Sequence, residues 1–79
     1  MEVSKVYIYP NPTRNLLTVE AKDQNKYTIG VFALNGRKMQ SRNFSGNTIQ
    51  IDLSDYPRGV YFISLATKDA VKTKRIFKL

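Results

Sequence analysis

The chain has 79 residues with 13 basic and 6 acidic side chains, a net charge of +7, and neither Cys nor His. It therefore has no disulfide, no His/Cys metal site, no histidine base and no cysteine nucleophile. A hydrophobic content of 42% suffices for the core of one small domain. No fully apolar run exceeds the four residues of 31–34, which is too short to cross a membrane, so we expect no direct membrane insertion.

Apolar and polar residues alternate with period two along most of the chain, which is typical of half-buried β-strands. A first strand is predicted at about residues 3–9. The apolar members of the next clear strands are Leu17, Val19 and Ala21; Tyr27, Ile29, Val31 and Ala33; Ile49, Ile51 and Leu53; and Tyr61, Ile63 and Leu65. No segment shows a helical stripe.

Turn signals separate these strands at regular intervals. They lie at residues 10–13, 22–25, 35–36, 45–47, 54–59 and 67–70. Asn35-Gly36 predicts a two-residue hairpin in which both residues have positive φ. Six turns imply seven strands, and the spacing indicates an all-β sandwich.

Two strands have an irregular pattern. Residues 38–44 have only Met39 and Phe44 as large apolar residues, on opposite faces, which predicts an edge strand. In residues 71–79, Lys72, Lys74 and Lys78 share a face with Ile76. That conflict predicts either a bulge or an edge strand exposed on both faces.

No group of residues supports catalysis or a cofactor. The carboxylates form no acid/base pair, because Asp52 and Asp55, which flank the long loop, are expected to shape turns. Glycines occur singly, which excludes a phosphate-binding loop. We predict a non-catalytic domain with no metal, no cofactor and no phosphate site.

The basic end of the chain and the nine aromatic residues allow two interpretations each. Residues 68–79 hold five basic side chains and one acidic one, either a docking strip or a solvated edge protected by lysines. The aromatics are expected mostly to fill the core, since no stacking platform beside Lys or Arg is evident. We therefore predict no nucleic-acid partner.

Two features predict rigid corners. Tyr61 begins a strand after the long loop, as in a tyrosine corner, where the hydroxyl bonds back to the loop backbone. Pro10 and Pro12 restrict the backbone around Asn11, which is expected to close an Asx turn.

Several segments, taken in order, resemble the C-terminal sorting domains of the type IX (Por) secretion system. The similar segments are YPNP at residues 9–12, the strand ending in NGR at residues 27–37, DLSDYPRGVYFI at residues 52–63 and KRIFK at residues 74–78. Tyr56 and Phe77 depart from the residues usual in that family without losing apolar character. The resemblance covers nearly the whole chain, and residues 1–5 are interpreted as an expression start or linker remnant before a sorting domain at residues 6–79.

The resemblance implies an immunoglobulin-like antiparallel β-sandwich that directs a larger exported cargo protein through the outer-membrane secretion machinery. It implies passage through the periplasm, removal by a sortase-like surface peptidase, and a final location at the cell surface or outside the cell. The expected partners are that machinery, the peptidase and an N-terminal cargo domain. The recognition candidates are Pro10, Asn11, Pro12, Gly36, Gly59, Tyr61, Lys72, Lys74, Ile76 and Lys78.

The predicted mechanism places the last strand at a sheet edge, where a receptor adds a strand and Lys72, Lys74 and Lys78 set its register. Reversing the charges of Lys74 and Lys78 is expected to abolish cargo release. The alternative is a surface adhesion or carbohydrate-binding sandwich, which requires an exposed aromatic strip on one sheet. A nucleic-acid binder would instead show steep salt dependence.

Overall fold

The computed structural model describes residues 6–22 and 26–79, which form two antiparallel β-sheets packed face to face. The strands are β1 (Val6–Tyr9), β2 (Leu16–Ala21), β3 (Tyr27–Ala33), β4 (Lys38–Phe44), β5 (Thr48–Asp52), β6 (Gly59–Ala66) and β7 (Val71–Lys78). The predicted all-β sandwich of seven strands is therefore confirmed. The part of the first predicted strand at residues 3–5 and most of the turn at residues 22–25 lie outside the described residues.

The two sheets have the strand orders β1-β2-β5 and β4-β3-β6-β7. The loop from β5 to β6 crosses from the three-stranded to the four-stranded sheet. This arrangement is that of an immunoglobulin-like sandwich, in which strands of one sheet connect to the other by Greek-key crossings. No helix in the described ranges is long and apolar enough to cross a membrane.

The core follows the alternation of the sequence. Fully buried side chains come from the inward positions of both sheets, and the largest are Leu17, Ile29, Ile51, Leu53, Ile63 and Ile76. Because the side-chain period of a strand is two, each of these strands turns its other residues outward. Burial of this set supplies most of the stabilisation of so small a domain.

The tyrosine corner is confirmed at the start of β6. The Tyr61 hydroxyl donates a 2.6 Å hydrogen bond to the carbonyl oxygen of Pro57, and the ring packs beside that of Tyr56 at 5.4 Å between centroids. Tyr61 is buried, so its hydroxyl needs this partner. The contact fixes the end of the crossing loop against β6.

The β3–β4 hairpin is confirmed, but its predicted two-residue turn is wrong. The amide of Gly36 donates to the carbonyl of Ala33, which places Leu34 and Asn35 at the centre of the turn. Gly36 follows with φ of +89°, and Ala33 and Arg37 close the loop. The loop therefore has three residues, with a single left-handed position that glycine adopts at no steric cost.

The predicted edge strand at residues 38–44 is confirmed, because β4 ends the four-stranded sheet. Its pairing with β3 shifts by one residue between Val31 and Phe32, so Met39 is an extra residue on β4. That bulge turns Met39 toward the core, against which it packs. Met39 and Phe44 consequently both contact the core, although strict alternation placed them on opposite faces.

Candidate functional site: the edge of the last strand

The last strand, β7, forms the other edge of the four-stranded sheet. It pairs with β6 over eight residues without a register shift, from Ala66 with Val71 to Gly59 with Lys78. Of the two outcomes predicted for this segment, the structure therefore has an edge strand exposed on both faces and no bulge. Residues 71–75 are all exposed, and the pattern changes only at Ile76, which is fully buried.

The outer edge of β7 is not uniform, because residues 11–13 cover its second half. The side chain of Asn11 donates to the carbonyl of Arg75 at 3.2 Å and accepts from the amide of Phe77 at 3.0 Å. The backbone of Thr13 continues the contact, bonding the carbonyl of Phe77 at 2.9 Å and the amide of Leu79 at 2.8 Å. We name residues 11–13 the edge clamp.

The expected Asx turn at Asn11 is therefore wrong. An Asx turn requires the side-chain oxygen to accept from the backbone two residues on, but the amide of Thr13 donates to Phe77. Asn11 instead bonds residues 64 and 66 positions later in the chain. The peptide bonds that precede Pro10 and Pro12 are both cis.

Thr13 belongs to the edge clamp, although the sequence pattern did not single it out. It is 2% exposed, and it is the one buried polar side chain among the described residues. Its hydroxyl donates to the carbonyl of Leu16, which satisfies the group and fixes the start of β2 beside the clamp. In the sequence, Thr13 is distinguished only by following Pro12. That position does not indicate which strand Thr13 would contact.

The first half of β7 keeps an open edge. Because Phe77 directs its amide and carbonyl away from β6, alternation directs those of Thr73 and Arg75 the same way. Of these groups only the carbonyl of Arg75 is bonded within the described residues, by Asn11. The free groups of these two residues are the amide and carbonyl of Thr73 and the amide of Arg75.

Lys72 and Lys74 lie on the inner face of this open half. They pair in register with the buried Leu65 and Ile63, yet both are exposed, so the three-stranded sheet does not cover them. Inward-facing charges on an edge strand oppose nonspecific pairing with another apolar strand. A strand with carboxylates at matching positions would instead be attracted.

The other recognition candidates are dispersed. Pro10 precedes the edge clamp and Pro12 lies within it, whereas Gly59 lies at the start of β6 with φ of +148°. Gly36 lies in the β3–β4 loop on the same sheet. Tyr61 and Ile76 are buried and Lys78 is half-buried, so these three are poorly placed for contact with a partner of the folded domain. Lys72 and Lys74 are the candidates that the structure brings together on an open surface.

Two titratable groups among residues 6–22 and 26–79 have a shifted pKa, and neither belongs to an acid/base site. Partial desolvation raises the pKa of Tyr9 above its ordinary value, as does the Glu20 carboxylate that accepts its hydroxyl at 3.3 Å. The pKa of Asp52 is lowered because its carboxylate accepts from Ser54, at 2.8 Å from the Ser54 amide. Asp52 therefore shapes the loop, as predicted. The described residues contain no cluster of His, Cys, Asp or Glu that could hold a metal ion.

Residues 7–78 match the family described as the secretion system C-terminal sorting domain. The chain belongs to this family. The family is that of the type IX secretion system, so the resemblance drawn from the sequence motifs is confirmed. A type IX sorting signal implies export to the cell surface or outside the cell.

The chain is also similar to a curated protein, the endo-acting ulvan lyase of Formosa agariphila. The two are 33% identical over 67 residues, which are 84% of this chain and 13% of the lyase. The chain thus spans about an eighth of the length of that relative. Because the match covers a small share of the enzyme, lyase activity is not assigned to this chain.

Proposed function

We propose that the chain is the sorting label of a larger exported protein and that the outer-membrane type IX machinery recognises it by adding a strand to the open half of β7. Family membership supports the label. The match to a small part of a much longer lyase supports a separate cargo domain. The observation that carries the mechanism is the run of residues 71–75, which is exposed on both faces and open at its edge.

The short open half limits how far an added strand can pair with β7. The added strand would bond Thr73 and the amide of Arg75 and would stop at the edge clamp, which fixes its register. Carboxylates on its inner face would meet Lys72 and Lys74, giving the contact direction and specificity. Because these pairs lie at a solvent-accessible rim, they contribute more to selection than to affinity.

After transport, the label is removed by a sortase-like surface peptidase and the cargo remains at the cell surface or is released. The cargo enters through the periplasm under the direction of its own export signal. Residues 1–5 are the place where a linker to the cargo would join the domain at residues 6–79. Residues 1–5 lie outside the described residues.

The first experiment tests the open edge with a matched pair of proline variants. A secretory reporter fused to the chain is expressed in a host with type IX machinery, carrying either Thr73→Pro or Ser41→Pro. By the same alternation, Ser41 directs its amide outward on the opposite edge strand, β4. Proline therefore removes one unused amide in each variant and leaves the sheet bonds in place.

The expected result is a reporter retained in the periplasm with Thr73→Pro and released normally with Ser41→Pro. Circular dichroism of the purified domains shows that both are folded. Normal release of the folded Thr73→Pro variant contradicts strand addition at this edge. Loss of release with both variants would place recognition elsewhere.

A second experiment tests the charges. Lys72→Glu combined with Lys74→Glu is expected to block release, while Arg42→Glu combined with Lys68→Glu is not. The two double variants change the net charge equally, and Arg42 is the comparable inward-facing, exposed cation on β4. Equal export of the two would show that Lys72 and Lys74 have no specific part.

A further inference from the structure

The outer face of the four-stranded sheet carries a row of aromatic and cationic side chains that the export mechanism does not use. The register places Lys38 beside Phe32, Phe32 beside Phe62, and Phe62 beside Arg75, across all four strands. Phe77 lies two residues beyond Arg75 on the same face. We name these five residues the cation–aromatic row.

The rings lie against the sheet and the cations lie over rings. A methyl group built on Gly30 would meet Cε1 of Phe32 at 2.7 Å, so the Phe32 ring covers the bare backbone of that glycine. Lys38 Nζ is 5.9 Å from the centre of the Phe32 ring, and Arg75 Cζ is 5.6 Å from that of Phe77. Phe32 and Phe62 are half-buried and Phe77 is 42% exposed.

This arrangement corrects the expectation that the aromatic residues mostly fill the core. Only Tyr27, Phe44 and Tyr61 are buried in the described residues. Strict alternation explains three of the other six, because Phe32, Phe62 and Phe77 occupy the outward positions of β3, β6 and β7. The exposed aromatic strip that the sequence did not reveal therefore appears once the three strands are aligned.

Within the part of the chain that the structure describes, the charged side chains of this face are all positive. Of the acidic residues that the structure describes, Glu20 and Asp52 belong to the three-stranded sheet, and Asp55 and Asp69 to loops. No carboxylate from the described chain therefore lies among the strands of this face. A ligand that fits it is negatively charged and has flat, weakly polar surfaces to set against the rings.

We infer that the cation–aromatic row binds an acidic polysaccharide. The C–H faces of sugar rings carry slight positive charge and pack on the negative faces of aromatic rings. Carboxylate or sulfate groups on the same polymer would pair with Lys38 and Arg75, which lie three strand spacings apart, roughly 14 Å. Polysaccharide is favoured over nucleic acid because the family exports its members to the cell surface or outside.

This second site is distinct from the export site. It uses the outer face of β7 through Arg75 and Phe77, whereas strand addition uses the free backbone edge and the inward-facing Lys72 and Lys74. The binding experiment needs only the purified 79-residue chain and no secretion. Its outcome is therefore independent of whether the chain acts as a sorting label.

The test is affinity electrophoresis of the chain in gels that contain polygalacturonate. Parallel gels contain a neutral β-linked glucan, hydroxyethylcellulose, or an acidic polymer without sugar rings, polyglutamate. Oligo(dT) is measured in the same buffer. We expect polygalacturonate to retard the chain more strongly than any of these three.

The matched variants distinguish the contribution of the cation–aromatic row to binding from the contribution of the net charge. Lys38→Gln combined with Arg75→Gln is expected to weaken polygalacturonate binding about tenfold relative to Arg42→Gln combined with Lys68→Gln, which removes the same charge elsewhere. Phe62→Leu, and separately Phe77→Thr, are expected to weaken binding to polygalacturonate but not to polyglutamate. Thermal melting shows which of them are folded. Because Phe77 is exposed, Phe77→Thr is expected to fold, so the contribution of an aromatic ring can be measured even if Phe62→Leu does not fold.

Three results obtained with polygalacturonate and polyglutamate would overturn the assignment. They are equal weakening by the two charge variants, polyglutamate binding as tight as polygalacturonate, or unchanged binding in folded variants that lack a ring. Tighter binding of oligo(dT) than of polygalacturonate would also overturn it and would assign the face to nucleic acid.

Discussion

The two halves of the last strand share one sheet and one partner strand, yet they differ in what covers them. From Arg75 onward, β7 has Ile76 in the core and its edge bonded by Asn11 and Thr13. From Val71 to the amide of Arg75 it has exposed side chains and an open edge. The difference arises from a segment more than 60 residues earlier in the chain.

One edge strand of a small sandwich can therefore have a half that is packed and hydrogen-bonded and a half that remains available to a partner. An edge strand is a hazard when it is open along its whole length. Here the edge clamp bonds the edge of the half that contributes Ile76 to the core. In the other half, inward-facing lysines oppose nonspecific strand pairing. A partner must therefore offer both a strand of limited length and opposite charge.

The largest effect is expected from a cavity in the clamped half. Ile76→Ala removes a fully buried side chain and should lower the free energy of unfolding by about 3 kcal/mol. Thr73→Ala, in the exposed half, should change it by less than about 0.5 kcal/mol. Urea denaturation measures both, and similar losses would mean that the two halves are equally packed.

Hydrogen exchange should show the same division without any substitution. The amides of Phe77 and Leu79 are bonded at 3.0 and 2.8 Å, whereas those of Thr73 and Arg75 face outward without a described partner. We expect the first pair to exchange at least about a hundredfold more slowly in NMR measurements. Comparable rates for all four amides would remove the distinction between clamped and open edge.

The clamp itself can be weakened through Asn11. Asn11→Ala removes two hydrogen bonds to β7 and should lower the free energy of unfolding by about 1–2 kcal/mol while exposing the Phe77 amide to exchange. Asn11→Asp keeps an acceptor for that amide and serves as the control. It should preserve protection of Phe77 better than alanine does. Unchanged exchange of Phe77 in the alanine variant would show that the clamp does not depend on this side chain.

The fold was accessible from the sequence because its determinants are local. Alternation at Leu17, Val19 and Ala21, and at Tyr61, Ile63 and Leu65, fixes which face of each strand is buried. The wrong prediction of a two-residue turn at Asn35-Gly36 also has a local cause. The sequence pair is compatible with two loops, and the structure selects the one that needs positive φ only at Gly36.

The site was only half accessible because its other determinants are not local. The lysines at positions 72 and 74 interrupt the apolar pattern of β7, and the sequence therefore predicted either a bulge or an edge strand exposed on both faces. The edge clamp depends on a contact between Asn11 and Phe77, and the cation–aromatic row depends on the register of four strands. Neither relation leaves a period or a motif in a single sequence.

The smallest effect is expected from Thr13, which contributes both a side chain and a backbone to this region. Thr13→Val keeps the shape of the buried side chain but leaves the Leu16 carbonyl without its hydroxyl donor, which should cost about 1 kcal/mol. The backbone bonds to Phe77 and Leu79 remain possible, so the Leu79 amide should stay protected in hydrogen exchange. If protection of Leu79 is instead lost while the domain stays folded, the hydroxyl positions the clamp. In that case the boundary between the two halves of β7 is set from the start of β2.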